Sequence, residues 1–298
     1  MSMYEVYSQS SGLKYKASVC SKAFVLYTVI TLLTFFLPFL FCYRSNGLWL
    51  KYEKYMEQPT VQFKLEYLMI AETSDPMAPV ICGNFPNTIK TTGFCPIIKV
   101  NEEDTNIDGI KDLLNLELHL ATNDTLDVHS VTLLLIFDFK IRELCLLEME
   151  SMVAITHSSA LPGGRLNIIG DLNIVQRIPL DCSPKKPIRI KKRILQFEKS
   201  NWLANIYNDY SKRTIYTKLD NIFSIWTRGR AYQQPFVINA IINYNNIEIV
   251  YKPKFWQIIK WAWMQYFSTL VISILIFKKV RRFLFTKHIV NTSVVSSK

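Results

Sequence analysis

The sequence predicts a membrane protein in which two transmembrane α-helices flank a mainly antiparallel, sandwich-like β domain on the extracellular or luminal side. Three observations predict it: an apolar run near each end of the 298 residues, basic residues beside those runs, and strand-like patterning between them. The predicted segments are a cytosolic tail (1–22), a first span (23–43), an outer domain (44–254), a second span (255–277) and a basic cytosolic tail (278–298).

The first predicted span, residues 23–43, contains 21 residues without a charge and is bounded by Lys22 and Arg44. A helix of this length crosses about 30 Å of hydrocarbon. A secretory signal peptide is the alternative. Its apolar region usually has about 7 to 15 residues, and no small-residue cleavage site follows this run. The segment is therefore predicted to be retained as a helix.

The second predicted span, residues 255–277, has a shorter uninterrupted uncharged run, residues 261–277, because Lys260 interrupts the span. Lys260 precedes them, and a long side chain at that position can reach the headgroups. Trp256, Trp261, Trp263 and Tyr266 supply the aromatic residues typical of a membrane interface. A buried helix of a soluble core is the alternative, but a basic block follows directly. That block consists of Lys278, Lys279, Arg281 and Arg282.

The distribution of charge predicts the topology. The net charge of +11 lies largely at the ends: residues 44–254 hold 25 Lys and Arg against 23 Asp and Glu, whereas residues 278–298 hold six basic residues and no acid. The positive-inside rule places both tails in the cytosol, where the basic block would also contact anionic membrane lipids. A nearly neutral middle domain argues against nucleic acid as a partner.

A sequon and four cysteines agree with an outer domain. Asn123 begins an Asn-Asp-Thr sequence and is a candidate glycosylation site. Cys82, Cys95, Cys145 and Cys182 fall in the same domain, where two disulfides have three possible connectivities. Cys82 with Cys95 closes the short loop and is the favoured pair. A small buried hydrophobic residue is the alternative for Cys145.

The middle segment is patterned as strands. Residues 114–120 alternate leucine with Asn115, Glu117 and His119, which is typical of a half-buried strand. Further strands are predicted at 131–141, 149–156, 166–178, 236–244 and 248–251. Pro162-Gly163-Gly164 and Asn245-Asn246 are predicted turns, and residues 202–212 are the one predicted short, exposed helix.

No catalytic constellation is visible in the sequence, so an enzyme is not expected. The four histidines are scattered, and neither a nucleophile elbow, a zinc-protease motif nor a glycine-rich phosphate loop occurs. Residues 185–193 carry six basic side chains and are predicted to be an exposed loop, with binding of an anionic headgroup or sulfated glycan as the alternative.

One loop carries the spacing of a calcium site. Residues 104–112 read DTNIDGIKD, in which oxygens from alternate residues can face one centre while Gly109 permits a sharp turn. The candidate ligands are the side chains of Asp104, Asn106, Asp108 and Asp112 and the backbone carbonyl of Ile110. Asn115 stands where an EF-hand needs glutamate, so an isolated calcium loop is predicted, with an acidic solvated turn as the alternative.

Several motifs, in this order, resemble the transmembrane protein 231 family. They are CSKA at 20–23, QPTVQF at 58–63, the acidic loop at 102–112, IWTRGRA at 225–231, PFVINAII at 235–242 and FWQIIKWAWMQY at 255–266. The likeness extends to the second span, and nothing is carried over for residues 183–200 or for the tail after Lys287.

The resemblance implies a non-enzymatic structural component of the ciliary transition zone. Such a protein would join tectonic proteins, B9-domain proteins and other transmembrane members of the Meckel syndrome complex in a diffusion barrier that controls ciliary membrane composition and cilium assembly. The alternative is a subunit of a two-span ion channel with a large outer β domain. The few polar residues of the spans fit helix packing better than a pore.

Overall fold

A computed structural model of the chain describes residues 13–16, 21–45, 50–75, 79–84, 97–120, 127–182, 187–190, 193–194, 202–287, 289 and 293–296. These residues divide into two compact units, Met1–Lys51 with Pro253–Lys298 and Tyr52–Lys252. Two apolar helices flank a mostly antiparallel β domain, which confirms the predicted fold class.

The elements follow one another along the chain as β1 (Leu13–Lys16), α1 (Lys22–Arg44), β2 (Glu53–Glu57), β3 (Thr60–Thr73), β4 (Val80–Gly83), β5 (Ile97–Glu103), β6 (Leu113–Leu120), β7 (Val128–Ile141), β8 (Leu147–Gln176), β9 (Ile188–Ile190), α2 (Trp202–Ser211), β10 (Ile215–Arg228), β11 (Phe236–Asn243), β12 (Ile247–Tyr251), α3 (Phe255–Thr286) and β13 (Ser293–Ser296).

Helices α1 and α3 form an antiparallel pair in the first unit. Near one end the guanidinium of Arg281 lies 5.7 Å from the ring centre of Tyr27, and near the other the sulfur of Cys42 lies 3.4 Å from the hydroxyl of Thr269. The buried residues of α1 are mostly small, as in other membrane helix pairs. They are Ala23, Ile30, Thr34, Pro38 and Cys42.

The two tails meet beyond the helix pair. Strands β1 and β13 pair antiparallel, with Leu13 opposite Ser296 and Lys16 opposite Ser293. Helix α3 also continues past Phe277, the predicted end of the second span, to Thr286. The first part of the predicted basic tail is therefore helical, and no pattern in the sequence predicts β13.

The β domain consists of two layers that share one long strand. The first half of β8 pairs with β7, which continues into β3 and β4. Its second half pairs with β10 on one side and β11 on the other, and β11 continues into β6 and β5. Pairing is antiparallel except between β8 and β11 and between β8 and β9.

The predicted turn at Pro162-Gly163-Gly164 is wrong, because β8 runs straight through it. A Cβ atom on Gly163 would lie 2.3 Å from the indole of Trp226, and one on Gly164 would lie 2.3 Å from the carbonyl oxygen of Gly229. The two glycines thus let β10 and the residues after it approach β8 closely. They serve packing between strands and do not reverse the chain.

The inner faces of both layers build one core. The four leucines predicted to face inward on β6, at positions 114, 116, 118 and 120, are at most 2% exposed. Phe137 on β7 contacts Phe63 on β3 and Tyr244 after β11, with ring centres 5.4 and 6.2 Å apart. Because strands of both layers meet at this ring cluster, the domain is sandwich-like as predicted.

A partly exposed carboxylate joins the outer ends of the two layers. Glu102 on β5 accepts the backbone N–H of Phe63 on β3 at 2.8 Å, and the hydroxyl of Tyr244 lies 3.4 Å from the same oxygen. Burial raises the pKa of the Tyr244 hydroxyl well above its usual value. Glu102 thereby joins β5, which pairs with β6 alone among the described residues, to the opposite layer.

Strands β2 and β12 form a separate ribbon that is fixed by Glu57. This carboxylate is 5% exposed and accepts the backbone N–H groups of Arg142 and Glu143 at 2.7 and 2.9 Å, together with the hydroxyl of Tyr55 at 2.9 Å. Three donors compensate the cost of burying its charge. The ribbon is thereby fixed to the end of β7.

A disulfide joins Cys145 to Cys182. The alternative that Cys145 is only a small buried hydrophobic residue is therefore wrong. Of the four cysteines in the domain, Cys82 and Cys95 remain. Cys82 is fully buried, and Cys95 lies outside the described residues, so the pairing of Cys82 with Cys95 stays a prediction.

The predicted short helix is present as α2, but one of its faces is buried rather than exposed. Ile206 and Tyr210 pack on an apolar cluster formed by the outer face of the first layer. The Tyr210 hydroxyl accepts the backbone N–H groups of Met152 on β8 and Thr217 on β10, each at 2.9 Å. It therefore joins the two layers at the first half of β10.

Replacing Tyr210 by phenylalanine should destabilise the chain by about 1–3 kcal/mol, because two buried N–H groups lose their acceptor. Tyr207, on the same helix, is the matched control, since its buried hydroxyl has no hydrogen-bond partner among the described residues. Tyr207→Phe should change stability by less than about 0.5 kcal/mol. Denaturant unfolding of the purified chain in detergent measures both, and equal effects would contradict the role given to Tyr210.

Candidate functional site

The acidic loop between β5 and β6 directs its carboxylates at its own backbone. Asp104 accepts the N–H groups of Asp108 at 3.2 Å and Gly109 at 2.8 Å. Asp112 accepts the N–H of Thr105 at 2.7 Å and a side-chain N–H of Gln58 at 2.8 Å. These bonds order the loop as a set of short turns.

The hydrogen bonds also relieve part of the repulsion between the loop's acids. The side chain of Gln58 and the backbone N–H of Thr105 hold the pKa of Asp112 below its usual value. The described residues, which include this whole loop, contain no group of three or more His, Cys, Asp or Glu side chains placed to hold a metal ion. Calcium binding stays a prediction, and the bonds to backbone amides account for the loop's order without it.

The tip of the loop contains one feature that the sequence did not reveal. Gly109 has the positive φ of +86° expected from the motif, but Ile107 also has a left-handed φ of +59°. A β-branched residue rarely adopts this conformation. Its side chain is 88% exposed, so it packs against nothing that would favour the conformation. The loop's turns hold Ile107 in place.

The other predicted sites of the outer domain are only partly described. Asn123 lies outside the described residues, so its glycosylation stays a prediction. Part of the predicted basic loop is instead strand β9, which pairs with the start of β8. There the guanidinium of Arg189 donates to Glu148 at 2.9 Å. Lys185 and Lys186 lie outside the described residues.

The hydroxyl groups of the first span bond within the helix. Thr28, Thr31 and Thr34 each donate to a backbone carbonyl four residues earlier, at 2.8, 2.8 and 2.7 Å. In hydrocarbon, such bonds satisfy a hydroxyl that has no water to contact. These threonines therefore fit the helix-packing interpretation better than a pore lining.

The basic block lies on the last turns of α3. The side chains of Lys278, Lys279 and Arg282 are exposed and can meet lipid headgroups. Arg281 differs, because its guanidinium lies over the ring of Tyr27. This cation–π contact gives Arg281 a second role in the packing of α1 against α3.

Known proteins resemble this chain over nearly its whole length. A family model described as Transmembrane protein 231 matches residues 1–294. The chain belongs to this family. Transmembrane protein 231 of Xenopus tropicalis is 37% identical over 98% of this chain and 96% of its own length, and that of Homo sapiens is 35% identical over 98% and 95%. The relatives' names describe a membrane protein and indicate no catalytic activity.

A cryo-EM structure of a proton-activated chloride channel aligns with 87% of this chain and 98% of that chain, at a TM-score of 0.30 and 10% identity. A TM-score this low does not establish a shared fold. The channel alternative gains no support from this likeness. Membership of the transmembrane protein 231 family rests on the sequence comparisons alone.

Asp104→Ala should speed amide hydrogen exchange at Gly109 about tenfold, because its N–H loses the Asp104 carboxylate. The N–H of Asp108 should change less, since it keeps the side-chain oxygen of Asn106 at 3.1 Å. The effect should be equal in millimolar calcium and in chelator if the hydrogen bonds alone order the loop. Glu143→Ala, at another exposed acid, is the control and should leave these amides unchanged. Protection of the wild-type loop only in calcium would contradict this account and support the calcium site.

Proposed function

We propose that the chain is a non-enzymatic structural component of the ciliary transition zone. In this proposal it belongs to a membrane-associated complex of the tectonic and Meckel syndrome type, which forms a diffusion barrier and thereby controls ciliary membrane composition and cilium assembly. The observation that carries the proposal is the family match over residues 1–294. The match includes both spans and the outer domain, so the likeness to the family is not confined to one segment.

A location in the ciliary membrane with both tails in the cytosol is part of the proposal. The positive-inside distribution of Lys and Arg supports this orientation. The pairing of β1 with β13 supports a common side for the two tails, because tails that form one sheet must lie on the same side of a membrane. The β domain, inserted between the spans, then faces the extracellular or luminal space.

The two ends of the chain would meet different partners. On the cytosolic side, Lys278, Lys279 and Arg282 offer anionic lipids up to about 1 kcal/mol each, and Arg281 contributes from its position over Tyr27. The outer domain offers the larger protein surface. Tectonic proteins, B9-domain proteins and other transmembrane members of the complex are the proposed protein partners, as the family membership implies.

Expression of a tagged chain in ciliated cells tests the proposal. We expect the tag at the transition zone, and we expect tectonic and B9-domain proteins to co-purify with it under mild detergent. A chimera that keeps both helices but replaces residues 52–252 with an unrelated domain is the matched control and should lose the partners of the outer domain. Uniform plasma-membrane staining of the wild-type chain, without these partners, would contradict the proposal.

A further inference from the structure

The two membrane helices are offset along their common axis. At one end, the guanidinium of Arg281 lies 5.7 Å from the ring centre of Tyr27, which is in the second turn of α1. At the other end, the sulfur of Cys42 lies 3.4 Å from the hydroxyl of Thr269. Because the helices are antiparallel, these contacts place Lys278, one turn before Arg281, beside the third turn of α1. The basic block of α3 therefore lies beside the uncharged run of α1 and not beyond its end.

The apolar stretch that the two helices share is short. On α1 it comprises residues 30–43, between the level of Lys278 and Arg44, and on α3 it comprises residues 264–277, between Trp263 and Lys278. Each stretch has 14 residues, which corresponds to about 21 Å of helix. The hydrocarbon of a typical bilayer is about 30 Å thick, so the shared stretch is shorter than the membrane. Tilt of the helices would reduce its height further.

The basic block limits the shared stretch at one end. Lys278, Lys279 and Arg282 are exposed, and neither helix contains an acidic residue that could offset their charges. Basic side chains inside hydrocarbon are costly unless they reach the headgroups. Long side chains on a helix point toward its N-terminus, which for this block is toward the middle of the membrane. The block therefore requires that the headgroups lie at its own level.

Tryptophans and a lysine limit the stretch at the other end. Trp261 and Trp263 are 44% and 65% exposed, and indole rings favour the headgroup region. Even if both rings enter the hydrocarbon, only residues 261–277 are uncharged between Lys260 and Lys278, which corresponds to about 25 Å of helix. Sliding α3 along the membrane normal gains no length, because it moves one lysine or the other into the hydrocarbon.

We propose that the helix pair preferentially binds lipids that form a thin bilayer, with a hydrocarbon thickness of about 21–25 Å. Short acyl chains surround the shared stretch, and headgroup phosphates meet Lys278, Lys279 and Arg282. Because a segment that is too short for its bilayer thins it or moves to thinner membrane, the pair collects in thin membrane or creates it. This preference is independent of the ciliary role, since it concerns α1 and α3 alone.

Lipid competition with the full chain in vesicles tests the proposal. Brominated dioleoyl phosphatidylcholine quenches the fluorescence of the α3 tryptophans, and an unbrominated phosphatidylcholine that binds more tightly reverses the quenching. We expect the shorter dimyristoleoyl lipid to bind at least about threefold more tightly than the dioleoyl lipid, because each Å of mismatch adds to the cost of solvating the pair. The headgroup is the same in both lipids, so charge does not contribute. Equal affinities, or tighter binding of the longer lipid, would overturn the proposal.

Substitutions in the basic block separate length from charge. Lys278→Leu with Lys279→Leu extends the uncharged run of α3 by three residues, to Val280, and should move the preference toward the dioleoyl lipid. Lys278→Gln with Lys279→Gln is the matched control, because it removes the same two charges but keeps polar side chains, and it should still favour the shorter lipid. A leucine variant that keeps the wild-type preference would contradict the role of length. Equal shifts in both variants would show that charge alone acts and would also overturn the proposal.

Discussion

The structure of the chain depends on the need to satisfy backbone polar groups inside hydrocarbon. A helix does so within itself, and this chain contains two helices of sufficient length and apolar character, α1 and α3. Their antiparallel packing returns the chain to its starting side, where β1 and β13 pair. The residues between the helices must then form a domain held by two anchors.

Within the β domain, both layers are built on one strand, β8. Its first half belongs to one layer and its second half to the other, so each layer depends on the same continuous strand. Gly163 and Gly164 mark the passage between them, where the strand has no side chains and Trp226 fills the space. Glu102 and the Tyr210 hydroxyl add bonds between the layers on either side of the core.

The sequence predicted the features that depend on residues close together in the chain. The two uncharged runs lie within long helices, the alternating leucines lie on β6, and Gly109 has the positive φ that its motif requires. The errors involve partners distant in sequence. In the sequence, Gly163 looks like a turn glycine, and only the folded structure shows that it makes room for Trp226. Likewise α2 looks exposed in the sequence, and only the fold shows that the hydroxyl of Tyr210 bonds to the backbone of Met152. In the acidic loop, the hydrogen bond from Gln58 to Asp112 could not be predicted either, because the two residues are far apart in sequence.

The most direct test of the two-anchor account is the accessibility of three tags, one at each terminus and one in the exposed turn between Asn245 and Asn246. Antibody added to intact cells reaches only tags on the extracellular side. Antibody added after the plasma membrane alone is permeabilised also reaches tags on cytosolic segments, whereas tags inside membrane compartments stay protected under both conditions. The account predicts that both terminal tags share one side and the Asn245 tag lies on the other. Terminal tags on opposite sides, or all three on one side, would contradict it.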